Sequence, residues 1–250
     1  MAGKQRTIGM DRPLQLDWLD AAAGRLAAGD TPKIARKHVW DMLEGVVAGS
    51  TPYTARGKTL TVLGRVWLTP PATATALRDS ALKLLAQASA EERLAVHWAM
   101  LSSTYPFFVD VAGLIGKSLG LNGDVALAQL TRRLVDTWGD RSTLRPAAQR
   151  IMRSMVQWGA LREGKVRGTF IPAIRRITVP TQLGELLVEG LLVSQGSGIA
   201  IDQLRAHPAI FPFVLHLDIN RVRQHPRLRI SRQGDGADYI ECRPESRVLL

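Results

Sequence analysis

The stretch STLRPAAQRIMRSMVQWGALREGKVRGTFIPAIRRITV, residues 142–179, decides how this chain is read. Its first half places Leu144, Ala148, Ile151, Met152, Met155 and Val156 at helical spacing, the apolar stripe that packs one helix on another. Arg145, Gln149, Arg150, Arg153 and Gln157 are left on the other side. Thr143 suits the N-cap, and Pro146 then falls in the first turn, where its missing N–H is tolerated. The texture changes after Trp158. Gly159, Gly164 and Gly168 alternate with β-prone pieces at 169–171 and 176–179, which predict a hairpin. Around that hairpin lie Arg162, Lys165, Arg167, Arg175 and Arg176.

Upstream, helical periodicity recurs over about 14–26, 32–47, 54–68, 73–87, 90–103, 106–119 and 124–138. Thr31 or Asp30 before Pro32, and Ser89 before Glu91 and Glu92, read as helix starts. Downstream, a helix at 181–194 leads through a Gly-rich turn to a short helix at 200–206 and an apolar segment at 208–223. Residues 227–232 and 237–242 then alternate about Gly234-Asp235-Gly236 as a second hairpin. Helix, helix, short turn, helix and hairpin is the order of a winged helix-turn-helix, whose third helix enters the major groove while its wing follows the backbone. The fold expected is therefore mainly α, with an N-terminal helical bundle followed by two winged-helix-like units with short β-hairpins. The divisions are a flexible basic arm at 1–12, a helical domain at 13–88, units at 89–180 and 181–243, and a tail at 244–250.

Charge narrows the function. Lys and Arg number 33 against 22 Asp and Glu, a net charge of +11. Such an excess favours polyanions. Arginine enrichment in a GC-rich genome is the other origin of that excess, and the placement of the arginines decides between them. The single Cys242 allows no intrachain disulfide and no Cys-based zinc site. The first twenty residues lack the apolar core of a signal peptide, and no apolar run reaches the length of a membrane span. A cytoplasmic protein with no membrane association is expected.

Arginine pairs with phosphate or guanine and glutamine with adenine, so the polar face of 142–159 suits duplex DNA, with the hairpin cations on phosphates. The second hairpin adds Arg227, Arg229 and Arg232. Its preceding segment PAIFPFVLHLDINRVR is mostly apolar, so Phe211, Phe213 and Leu217 read either as a partner-binding surface or as a fully buried helix. No catalytic group, cofactor or metal site is expected. PYTARGKT at 52–59 ends like a phosphate-binding loop but has Pro52 where the first glycine belongs. The triplet Glu163-Gly164-Lys165 lacks an assignable aspartate partner. The five histidines show no metal-ligand spacing, and His97 beside Trp98 reads as a core residue. HWAMLSSTYPFF, residues 97–108, reads as a buried helix–helix corner.

The TAR at 54–56, the ERLAVHWAML at 92–101 and the STLRPAAQRIMRSMVQWGALRE at 142–163 resemble the BrxA proteins of bacterial phage-defence (BREX) islands, which join a helical bundle to winged-helix DNA-binding elements. The likeness covers roughly half of the chain and leaves the second basic hairpin outside it. The tandem arrangement also resembles the kite-type subunits of bacterial condensin complexes, where paired winged helices hold a kleisin chain and touch DNA. These resemblances imply a non-enzymatic component of a larger bacterial assembly, serving phage defence, that binds double-stranded DNA and has protein partners. A protein-interaction subunit and a transcriptional regulator are the alternatives.

Overall fold

The computed structural model describes residues 7–173, 176–232, 234 and 236–244. The chain is mainly helical, with small sheets. A strap, residues 7–15, leads into α1 (Leu16–Ala27), α2 (Pro32–Met42), α3 (Ala55–Trp67) and α4 (Thr75–Leu85). The strap is not a loose arm from Thr7 onward, because Ile8, Met10 and Leu14 are buried and Gly9 lies against the Tyr105 ring. Residues 1–6 of the expected arm lie outside the described residues. Thr31 caps α2 by accepting the Ile34 N–H. That helix stops at Met42 rather than near Val47, with Gly45 left-handed at φ 71° and Val46 left exposed.

Next comes α5 (Ala90–Thr104), opened by a capping box in which Ser89 and Glu92 satisfy each other's backbone N–H. Every residue from Leu94 to Thr104 is buried, so α5 is the central helix of the molecule. Tyr105 turns the chain into α6 (Pro106–Asn122) and donates its hydroxyl to the Val62 carbonyl at 2.9 Å, which makes the expected buried corner.

From α6 the order is β1 (Val125–Ala126), α7 (Leu127–Trp138), α8 (Leu144–Gln157), β2 (Leu161–Glu163) and β3 (Thr169–Pro172). β3 lies between the other two strands, paired antiparallel with both. The hairpin therefore differs from the expected one. Gly164 and Gly168 turn 161–163 back on 169–172, and β4 (Ile177–Thr178) leaves to pair in parallel with a distant strand.

The same order then repeats. α9 (Thr181–Gln195), β5 (Ile199–Ala200) and α10 (Ile201–Arg205) are followed by a 3₁₀ turn, Pro208–Ile210, and by β6 (Phe213–Val214), the partner of β4. α11 (Ile219–Gln224), β7 (Leu228–Arg232) and β8 (Asp238–Cys242) complete the unit, with β8 between β5 and β7. Residues 208–223 are thus not one apolar helix, because Pro208 and Pro212 break them into a turn, a strand and a short helix.

One continuous core joins these parts. α9 crosses α5 so closely that a methyl group on Gly190 would lie 2.4 Å from the Ala99 carbonyl oxygen. Trp98 on α5 meets Phe108, Phe211, Phe213 and Trp158 edge-on, and its indole N–H donates to the Ala209 carbonyl.

Candidate nucleic-acid interface

Helix α8 buries Leu144, Ala147, Ala148, Ile151, Met152 and Met155, following the sequence periodicity. Arg145 and Arg153 are exposed, and Gln149 and Arg150 are half-buried. Arg145, Gln149 and Arg153 stand four residues apart, on one line along the outer face. No acidic residue occurs between Arg141 and Arg162. Among the described residues, no carboxylate lies within ion-pair distance of Arg145, Arg150 or Arg153.

The C-terminal end of α8 does different work. Ser154 accepts the Leu14 N–H at 2.9 Å, Trp158 donates to the Leu14 carbonyl at 3.0 Å, and Gln157 accepts the Leu16 N–H at 2.8 Å. Gln157, expected on the DNA face, instead satisfies one of the free N–H groups at the start of α1. The strap is thereby pinned to α8.

Arg162, Lys165 and Arg167 are exposed on the β2–β3 hairpin, where Glu163 is the lone carboxylate. None of the three cations has an ion-pair partner among the described residues. Two residues expected with them do not join them. Arg175 lies outside the described residues, and Arg176 flanks β4, donating to the Phe213 carbonyl at 3.1 Å.

The second unit treats its arginines in the opposite way. Arg227 donates to both oxygens of Glu189, at 2.5 and 2.8 Å, and to Ser80 at 2.9 Å. Hydrogen bonding to Glu189 raises the Arg227 pKa against the opposing effect of burial. This arginine was expected on DNA, yet it is a tie between α9, α4 and β7. Arg221 holds Glu185 with two hydrogen bonds, 3.0 and 3.1 Å. Arg229 pairs across the strands with Glu241 at 3.3 Å, and Arg232 with Asp238 at 3.5 Å. Arg227, Arg229 and Arg232 thus each have a carboxylate beside them, which offsets the field that a phosphate would meet there.

Phe211, Phe213 and Leu217 are core residues rather than an open surface, although Phe211 also lines a hollow along α6. Phe213 is 1% exposed, Phe211 is buried with it around Trp98, and Leu217 packs against the same core. The sequence signal that could have located the pairing of Arg221 and Arg227 is Glu185 and Glu189 themselves. They lie one helical turn apart inside an apolar run, and both are buried on α9. Arg132 and Arg133 are also exposed, on α7, which packs on α8, and no sequence motif marks them.

His97 is fully buried, accepting from Trp67 at 3.2 Å through Nδ1 and facing Asp20 at 3.0 Å through Nε2. Burial lowers its pKa against the raising influence of Asp20. In turn, burial pushes the Asp20 carboxyl up, but His97 and Arg93 outweigh it and hold the group below the usual range. The 52–59 stretch enters α3 from a turn, with Gly57 tight against the Pro52 carbonyl and Arg56 buried over the Trp40 ring. Among the described residues no helix is long and apolar enough to cross a membrane. No protein-family model matches the chain, and neither the curated proteins nor the solved structures include a significant match.

Proposed function

We propose that the chain is a non-catalytic duplex-DNA-binding protein with two winged-helix units, of which the first carries the DNA contact. The observation that carries this reading is the contrast between the two hairpins. Arg145, Arg150, Arg153, Arg162, Lys165 and Arg167 have no carboxylate partner among the described residues, whereas Arg227, Arg229 and Arg232 at the second hairpin are paired. The element order from α6 to β3 supports a winged helix, in which α8 takes the place of the groove-reading helix and β2–β3 that of the wing. Arg145, Gln149 and Arg153 then face base edges and phosphates, and the wing cations follow the backbone. The second unit, with Arg221 and Arg227 tied to α9 and Arg229 and Arg232 paired with β8, serves as a packing element. A role within a larger phage-defence assembly, as for the BrxA-like proteins, is part of the same proposal.

The test compares two paired charge reversals on a duplex of about 20 base pairs by fluorescence anisotropy. Arg145→Glu/Arg153→Glu weakens binding by a hundredfold or more, at about 1–3 kcal/mol per specific contact. Arg229→Glu/Arg232→Glu changes it several-fold at most. Equal losses in the two variants, or none in the first, would overturn the assignment.

A further inference from the structure

We propose that the cleft along α6 is a docking groove for an acidic polypeptide segment of a partner protein, anchored by an apolar side chain. The proposal does not depend on the DNA reading, because the groove uses none of Arg145, Gln149, Arg150, Arg153, Arg162, Lys165 and Arg167, and Arg176 flanks β4 away from them. Two adjoining hollows, of about 630 and 580 Å³, share Lys117, Ala206 and Pro208 and so form one trough. α6 makes one wall, and the chain from Ala206 to Pro212 makes the other. The trough runs from Val109 to Leu121, about 18 Å of helix, which is the length of five or six extended residues.

Its shape follows from two glycines. At Gly116 the helix touches the Pro208 carbonyl so closely that a methyl group would lie 2.0 Å from the oxygen, which fixes the two walls together. One turn later Gly120 has nothing within 4 Å of where its Cβ would be, and the trough opens. Leu121 stands at that opening, 79% exposed, above Phe211, Pro212 and Pro172. An exposed leucine over an apolar floor is surface that a partner's side chain would cover favourably.

Charge selects the occupant. Lys117 and Arg176 are the charged residues lining the open end, and neither has an ion-pair partner among the described residues. The carboxylate of Asp110, at the far end, already accepts the Trp138 indole N–H at 2.8 Å. An incoming segment therefore meets positive charge beside apolar lining. A duplex would present phosphates to both and leave the apolar floor unused, whereas an acidic segment with one large apolar residue satisfies each. Because α8 and the hairpin cations Arg162, Lys165 and Arg167 lie outside the groove lining, such a segment and DNA bind together, which links a partner to the duplex.

The experiment uses the full chain and fluorescein-labelled peptides of about a dozen residues, drawn from Asp, Glu, Leu and Phe, against the same peptides with Lys in place of the acids. The acidic set is expected to bind at least about tenfold more tightly, and Lys117→Glu and Leu121→Asp each to weaken it by about tenfold. Both side chains are exposed, so the thermal midpoint should stay unchanged. Saturating duplex DNA should leave the peptide bound. Equal binding of the basic set, or indifference to both substitutions, overturns the proposal. So does displacement of the peptide by duplex, which would make the groove part of a nucleic-acid surface.

Discussion

Replacing Arg227 with Ala tests the separation of structural from DNA-facing arginines, because the two roles predict opposite outcomes. The substitution removes both hydrogen bonds to Glu189 and the one to Ser80. It leaves the Glu189 carboxylate, 4% exposed, without its cation. Stranding a buried charge costs about 3–5 kcal/mol, a large share of the roughly 5–15 kcal/mol that a folded chain has in total. At about 2–4 °C per kcal/mol for a chain of this size, the thermal midpoint falls by roughly 6–20 °C. Thermal unfolding followed by circular dichroism measures the midpoint and urea unfolding the free energy, with duplex binding read on the same preparation below the midpoint. Glu189→Leu/Arg227→Met should recover most of the loss, since neither charge is then left buried. DNA affinity should stay within a few-fold throughout. A midpoint held within about 2 °C, together with a tenfold loss of duplex affinity, would place Arg227 on DNA rather than on Glu189.

Three further outcomes follow from the packing. Gly190→Ala drives a methyl group into the Ala99 carbonyl at the α5–α9 crossing, and destabilisation of at least about 1–3 kcal/mol is expected in the same urea assay. Ser154→Ala removes the acceptor of the buried Leu14 N–H, which costs about 1–3 kcal/mol and should speed proteolysis within residues 7–15. Burial holds the His97 pKa below its unfolded value of about 6.5. The unfolded state therefore binds the proton first. The stability that neutral His97 contributes is full above that value and is lost as pH falls below it toward the folded pKa. The urea midpoint should drop between about pH 7 and pH 5, and His97→Gln should flatten that drop, whereas an unchanged slope would assign it elsewhere.

Local signals in the sequence located most helices. The Ser89–Glu92 box, the Thr31 cap before Pro32 and the apolar stripe of α8 are short-range features, and each is where the spacing predicts it. Strict alternation likewise predicted the β7–β8 hairpin. What could not be read locally was pairing. β1, β4, β5 and β6 are two residues long, too short for any period, and β4 finds its partner 36 residues away. The proline-interrupted segment at 208–217 has the composition of a helix, but two of its aromatics were drawn in to close the pocket around Trp98.

The candidate interface shows the same division. Helical geometry alone put Arg145, Gln149 and Arg153 on an outer face. Nothing near Arg227 or Arg221 in the chain announces Glu189 or Glu185, which lie 38 and 36 residues away. Gln157 was misplaced for a related reason, since its partner, the Leu16 N–H, is 141 residues distant. The trough along α6 has no sequence motif. Its opening depends on Gly120 facing empty space beside a loop brought in from more than eighty residues downstream.

The salt dependence of duplex binding distinguishes DNA contact through the first unit from a merely basic surface. Each lysine or arginine that displaces a counterion from DNA adds about 0.9 to the steepness of log K against log salt. The intact chain should show a steep slope, and Arg162→Gln/Lys165→Gln/Arg167→Gln should reduce its steepness by about 0.9 for each residue changed. Arg229→Gln/Arg232→Gln should leave the slope where it was. A shallow slope in the intact protein, or equal flattening by the two sets of substitutions, would rule out the first hairpin as the DNA-contacting wing.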